Sequence, residues 1–210
     1  MSLTLPVLVR GINNLSDARY CAGMGAEGLI FTLDPTLPGA VDAATVRELA
    51  GWVAGVELIG EFGSLPAAEI NRLVAECGLS RVLLRFTAQA DGLARTPLLV
   101  PALIETPQFS TFDGAYRQQL TAGLGDALPA GFRLLTKVLK PDTDRTRQLM
   151  RTAAAATPLW LSGAFDPATL PALVAAVRPA GLILEGGNEI KPGLRDFTEL
   201  EAVFEALEED

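Results

Sequence analysis

Six charged residues stand at or near the ends of apolar runs: Arg10 in "VLVRG", Glu61 in "LIGEF", Arg85 in "VLLRF", Glu105 in "LIETP", Lys137 in "LLTKV" and Glu185 in "LILEGG". A charge beside so much apolar surface must be paired or solvated. Three arrangements satisfy that demand. The charges could line a polar pocket for an anionic, sugar-like ligand. Several could point outward, because a one-residue shift reverses the facing of a strand. Or they could form a self-satisfied ion network that closes a barrel mouth with no ligand. Two glycine-bearing turns add a second candidate: "LSGAF" with Gly163 and Ala164, and "LEGGNE" with Gly186 and Gly187. Glycine lets backbone approach an anion closely, and a helix N-terminus following the turn adds free N–H donors. The expectation is that N–H groups at these four positions converge on one phosphate, the alternative being that the glycines only form turns. Gly11, directly after Arg10, belongs with the same anion-binding set.

Residue usage removes several chemistries. There is no histidine, so Ser-His and Cys-His nucleophilic pairs are excluded and any proton transfer falls to Asp, Glu, Lys, Tyr or a thiol. Cys21 and Cys77 are far apart without metal-like spacing, which predicts packed core thiols, no disulfide and no metal site. A net charge of −8 and a pI near 4.7 argue against a nucleic-acid partner. No stretch has the length of a membrane span, and "MSLTLPVLV" lacks the basic start of a signal peptide, so a soluble cytoplasmic protein is expected.

The elements that must position these groups follow a strand-helix rhythm. Strands are expected at Pro6–Arg10, Gly28–Leu33, Val56–Phe62, Arg81–Phe86, Leu98–Glu105, Phe132–Leu139, Leu159–Ser162 and Gly181–Leu184. Each is nearly continuous in apolar residues, as strands buried on both faces should be. Segments such as "PAAEINRLVAECG" between them carry helical spacing. Asn14, with Ser16 as rival, is expected to cap the first helix, and Asp166 with Pro167 to open the one after "LSGAF". The fifth helix must lie within "DGAYRQQLTAGLGDALPAG". Eight such units in 210 residues predict a single-domain α/β fold, a (β/α)8 TIM barrel over residues 1–210. An open doubly wound sheet shares the rhythm, but no G-x-G-x-x-G follows the first strand to support its dinucleotide-binding form.

Two stretches resemble a known family. "LVRGINNLSDARYCAGMGAEGLIF" is similar to the K-x-C-G-[IL]-T-N-x-E-D-A opening of the phosphoribosylanthranilate isomerases. "LSGAFDPATLPALVAAVRPAGLILEGGNEIKPGLRDFTEL" is similar to their ending, with a glycine pair, a capped helix, R-P, a strand and a P-G-x-K-D tail. The resemblance implies a (β/α)8 barrel and a cofactor-free Amadori rearrangement of an aminoaldose phosphate. It also implies a cysteine base ending strand 1 and an aspartate acid ending strand 6 within L-L-D. At those places this sequence has Arg10, and Thr136 or, one residue on, Lys137. The family's lysine two before the cysteine is Leu8, its strand 8 aspartate is Ile183, and its second phosphate-loop glycine is Ala164. Its G-G-T-G segment after strand 6 is replaced by "KPDTDRTRQ".

A guanidinium cannot accept a proton. The leading expectation is therefore a barrel, monomeric or homodimeric, that binds a phosphorylated small molecule without isomerising it. Arg10, Thr136, Lys137 and Glu185 are the candidate chemical positions, and Gly11, Arg85, Gly163, Ala164, Gly186 and Gly187 the ligand-binding ones. A Schiff-base aldolase using Lys137 and a non-catalytic interaction barrel are the alternatives.

Overall fold

The computed structural model describes residues 2–85, 97–106, 111–116, 132–138, 143–186, 188–191 and 194–209. Eight parallel strands close into a barrel, each paired with the next and the last with the first. They are β1 (Val7–Arg10), β2 (Gly28–Thr32), β3 (Glu57–Phe62), β4 (Arg81–Arg85), β5 (Ala102–Glu105), β6 (Phe132–Lys137), β7 (Leu159–Ser162) and β8 (Gly181–Glu185). The described helices are α1 (Leu15–Gly23), α2 (Ala43–Ala50), α3 (Ala67–Cys77), α4 (Asp144–Ala156), α5 (Leu170–Val177) and α6 (Thr198–Glu205). A short antiparallel hairpin, β9 (Asn188–Lys191) and β10 (Leu194–Asp196), stands between β8 and α6. The fifth helix expected over 113–131 lies mostly outside the described residues.

Strand alternation divides the core in two. One residue from each strand, Leu8, Ile30, Ile59, Leu83, Leu103, Leu135, Trp160 and Ile183, packs inside the barrel. The alternate set, including Val9, Phe31, Val82, Leu134 and Leu161, packs outward against the helices. α3 shows how the helices meet it. Ala67, Ile70, Leu73, Val74 and Cys77 make one buried stripe at helical spacing, and Gly78 ends the helix in a left-handed conformation. Cys21 and Cys77 are buried free thiols.

Glycine 181 is dictated by packing. A Cβ there would lie 2.4 Å from the Trp160 ring, so the indole fills barrel volume that only a side-chain-free neighbour leaves open. The strand expected from Leu98 begins only at Ala102. Pro101 has no N–H to give the ladder, although its carbonyl accepts from Val82. Asn14 is the cap of α1, accepting from the Asp17 N–H at 3.0 Å. Asp166 instead caps a preceding turn through the Ala168 N–H, and regular helix starts at Leu170.

Candidate functional site

In every strand the residue two places after the inner-core position is polar, and period two makes it face inward. The ladder sets these residues side by side at the carboxyl ends: Arg10 beside Glu185, Thr32 beside Glu61, Arg85 beside Glu105, and Lys137 beside Ser162. All six charges singled out in the sequence therefore face the barrel axis. Thr32 and Ser162 join them unannounced. Their signal was present, since each follows an inner-core residue by two, but small hydroxyl residues at strand ends are too common to stand out.

Arg10 is the hub. It is 5% exposed, and its guanidinium is held by two carboxylates. Nε donates to Glu61 Oε2 at 3.0 Å while Nη2 donates to Glu61 Oε1. Nη1 and Nη2 also donate to Glu105 Oε1 and Oε2 at 3.3 and 2.9 Å. Glu61, fully buried, further accepts from Thr32 Oγ1 at 3.0 Å and Arg85 Nε at 2.5 Å. Burial alone would lower the Arg10 pKa, but the hydrogen bonds to Glu61 and Glu105 outweigh it and raise it. Burial likewise works to raise the Glu61 pKa, yet its contacts with Arg10 and Arg85 bring it below the usual carboxylate range. Both groups stay charged. Glu185, 61% exposed, is the outer member, 3.8 Å from Arg10 Nη1.

The register separates Thr136 from Lys137. Thr136 is buried in the outward, helix-facing set, and its hydroxyl donates to the Lys137 carbonyl at 3.3 Å. Lys137 belongs to the inward set and is exposed at the mouth. Ile183 and Leu8 lie in the apolar layer below.

A cavity of about 220 Å³ lies where the phosphate was expected, between the loops after β7 and β8 and the start of α6. Gly163, Ala164 and Gly186 line it, and Gly163 has φ of +142°, which favours glycine. The convergence expected of their N–H groups is not met at Gly186, whose N–H donates to the Arg10 carbonyl at 2.8 Å. Gly187 lies outside the described residues. Asp196 accepts from the Thr198 N–H at 2.9 Å, so the chain's own carboxylate occupies a donor at the start of α6. Glu185, Asp196 and Glu199 line the cavity, and no cation does among the described residues.

A second carboxylate outside the charge cluster braces the same face. Asp34 is fully buried and accepts from the Thr36 N–H and hydroxyl at 2.9 and 2.6 Å, and from the Gly63 and Ser64 N–H groups at 2.8 and 2.9 Å. Burial opposes ionisation, but these four donors hold its pKa at about 2. It ties the loop after β2 to the loop after β3.

Fold and site together define a closed, all-parallel (β/α)8 barrel with a polar layer at the carboxyl ends of its strands. Its homologues are N-(5'-phosphoribosyl)anthranilate isomerases. The one from Trichormus variabilis is 26% identical over 221 residues, spanning 96% of this chain and 97% of its own. That from Geobacter sulfurreducens is 26% identical over 195 residues, spanning 90% and 92%. The crystal structure of phosphoribosyl anthranilate isomerase from Thermus thermophilus superposes with a TM-score of 0.73 at 24% identity, covering 97% of this chain and 98% of that one. Another structure of such an isomerase, in complex with reduced 1-(o-carboxyphenylamino)-1-deoxyribulose 5-phosphate, gives 0.71 at 19%, with the same coverage. No protein-family profile matches the chain.

Proposed function

We propose that this chain is a phosphoribosylanthranilate isomerase-like barrel that holds a small molecule bearing an anionic group at its mouth and does not isomerise it. The supporting observation is the clamp on Arg10. By resemblance this residue stands where the isomerases carry their cysteine base, and here it is a permanent cation bound to Glu61 and Glu105. At the matching place on β6 the inward residue is Lys137, an ammonium donor in place of a carboxylic acid. Each acid or base contributes roughly two to four orders of magnitude to such a reaction. Without both, turnover falls below use.

The relatives' names point to a phosphorylated, sugar-like ligand. The cavity between the loops after β7 and β8 supports such a seat by position and by Gly163. Its three carboxylates and the engaged Gly186 N–H weigh against tight phosphate binding there. Inorganic phosphate is expected to bind in the millimolar range or more weakly.

The test is the fluorescence change that accompanies turnover of phosphoribosylanthranilate, together with complementation of a tryptophan auxotroph lacking the isomerase. No turnover and no rescue are expected. Rescue at normal levels would overturn the reading and direct attention to Glu61 or Glu185 as proton carriers. The Schiff-base alternative meets an exposed Lys137 with no apolar cage among the described residues, whereas such a lysine is activated by desolvation. Borohydride trapping with pyruvate is expected to leave Lys137 unmodified.

A further inference from the structure

The ion network leaves part of the mouth unspent, and what remains is polarised. Arg85 donates through Nε to Glu61, which fixes the base of the fork, and its two Nη atoms meet no acceptor among the described residues. Lys137 has no ion-pair or hydrogen-bond partner among the described residues, and solvent reaches it. Ser162, its neighbour across the ladder, is 1% exposed, faces inward, and has a hydroxyl without a partner. A buried hydroxyl left unpaired is an exception that needs a physical account, and a bound acceptor group supplies one. These three donors lie on β4, β6 and β7, an arc that also contains Glu105 on β5, whose carboxylate is taken by Arg10. Carboxylates hold the other side: Glu185 ends β8, and Asp196 and Glu199 line the adjoining cavity with it. Arg10 and Glu61 link the two sides by contact, since Arg85 meets Glu61, Glu61 meets Arg10, and Arg10 approaches Glu185.

Taking the mouth to be a small-molecule site as argued above, we propose that its ligand is a zwitterion: the anionic group, carboxylate or phosphate, sits on Arg85, Lys137 and Ser162, and an ammonium group sits among Glu185, Asp196 and Glu199. The anion seat has thereby moved from the turns after β7 and β8 to the arc over β4 to β7. A guanidinium fork beside an ammonium and a hydroxyl is a donor set suited to carboxylate or phosphate oxygens. A doubly anionic molecule would place its second charge against three carboxylates. A simple amine would leave the arc empty, and the buried Ser162 hydroxyl with it.

Calorimetry on the intact chain with ε-aminocaproate, caproate, hexylamine, aminopropyl phosphate and inorganic phosphate tests this. Either zwitterion should bind at least about tenfold more tightly than the probe that lacks one of its charges. Whether the carboxylate or the phosphate zwitterion binds better names the source of the anion. Lys137→Met should weaken the zwitterions about tenfold and leave hexylamine unchanged, and Glu199→Gln should weaken the zwitterions and hexylamine but not caproate. Both side chains are exposed, so these variants fold. Caproate or hexylamine binding as tightly as ε-aminocaproate would overturn the assignment. So would inorganic phosphate binding unaffected by Lys137→Met, or no probe binding at roughly 10 mM. Turnover of phosphoribosylanthranilate would overturn the non-isomerase reading alone, because the zwitterion preference is read from binding.

Discussion

Arg10 and Glu61 illustrate how a buried charge can be indispensable without being stabilising in itself. Breaking such a pair strands the partner, at a cost of about 3–5 kcal/mol, whereas replacing both members with apolar groups is often neutral or better. Arg10→Leu should therefore lower the unfolding free energy by about that amount, because Glu61 keeps only Arg85 and Thr32. The double variant Arg10→Leu/Glu61→Leu should recover most of the loss, leaving Glu105 beside Arg85. Urea titration of the three proteins decides it, and equal losses in single and double variants would argue against the clamp. Asp34 makes a pH-dependent contribution. Its folded pKa of about 2 lies below the unfolded value, so its stabilisation is complete above pH ~4 and disappears as pH falls towards 2, roughly 2 kcal/mol in all. Glu61, also depressed, acts in the same direction. The urea midpoint should fall over that range, and the fall should be shallower in Asp34→Asn, which starts lower at pH 7.

Among the elements, β8 carries the tightest local constraint. Its first residue, Gly181, pairs with Trp160 on β7, and the indole occupies the space a Cβ would need. Overpacking a rigid ring in a closed barrel costs about 1–3 kcal/mol. Gly181→Ala should lower the melting temperature and alter near-UV circular dichroism, because the chain has two tryptophans and Trp52 is exposed. An unchanged near-UV spectrum would mean that the ring moves aside without cost. The hairpin after β8 was missed in the sequence. Its strands are three to four residues long, too short for alternation to register. It matters because it delivers Asp196 to the cavity.

For the whole molecule, the ion network links four strands, so on the proposed non-isomerase reading two substitutions should not be enough to create isomerase chemistry. Arg10→Cys/Lys137→Asp would supply the thiol and carboxylic acid that the resemblance asks for, yet remove the guanidinium that holds Glu61 and Glu105 and add a carboxylate to the mouth. The variant should show no turnover and should unfold more readily by about 3 kcal/mol or more. Adding Glu61→Val should restore stability first. The fluorescence assay and urea titration on the double and triple variants test this order, and turnover in the double variant would contradict it.

The eight-unit rhythm, the apolar strands buried on both faces and the placement of a charge at six strand ends were legible in the sequence, because they depend on spacings of two and of three to four residues. β7 was located to the residue, and Arg10 stood out as a charge where the resemblance implies a catalytic base. The choice between pocket, outward charge and closed network was not legible. Arg10 finds Glu61 and Glu105 at separations of 51 and 95 residues, and only closure of the sheet brings those strand ends onto one axis. The facing of Thr136 and Lys137 turned on a one-residue register. The engagement of the Gly186 N–H was not legible for a similar reason. The glycines are local, but the Arg10 carbonyl that takes the Gly186 N–H and the carboxylates that line the cavity come from other elements. Local spacing determines which groups stand at the mouth; the geometry of closure determines which of them are left free to meet a ligand.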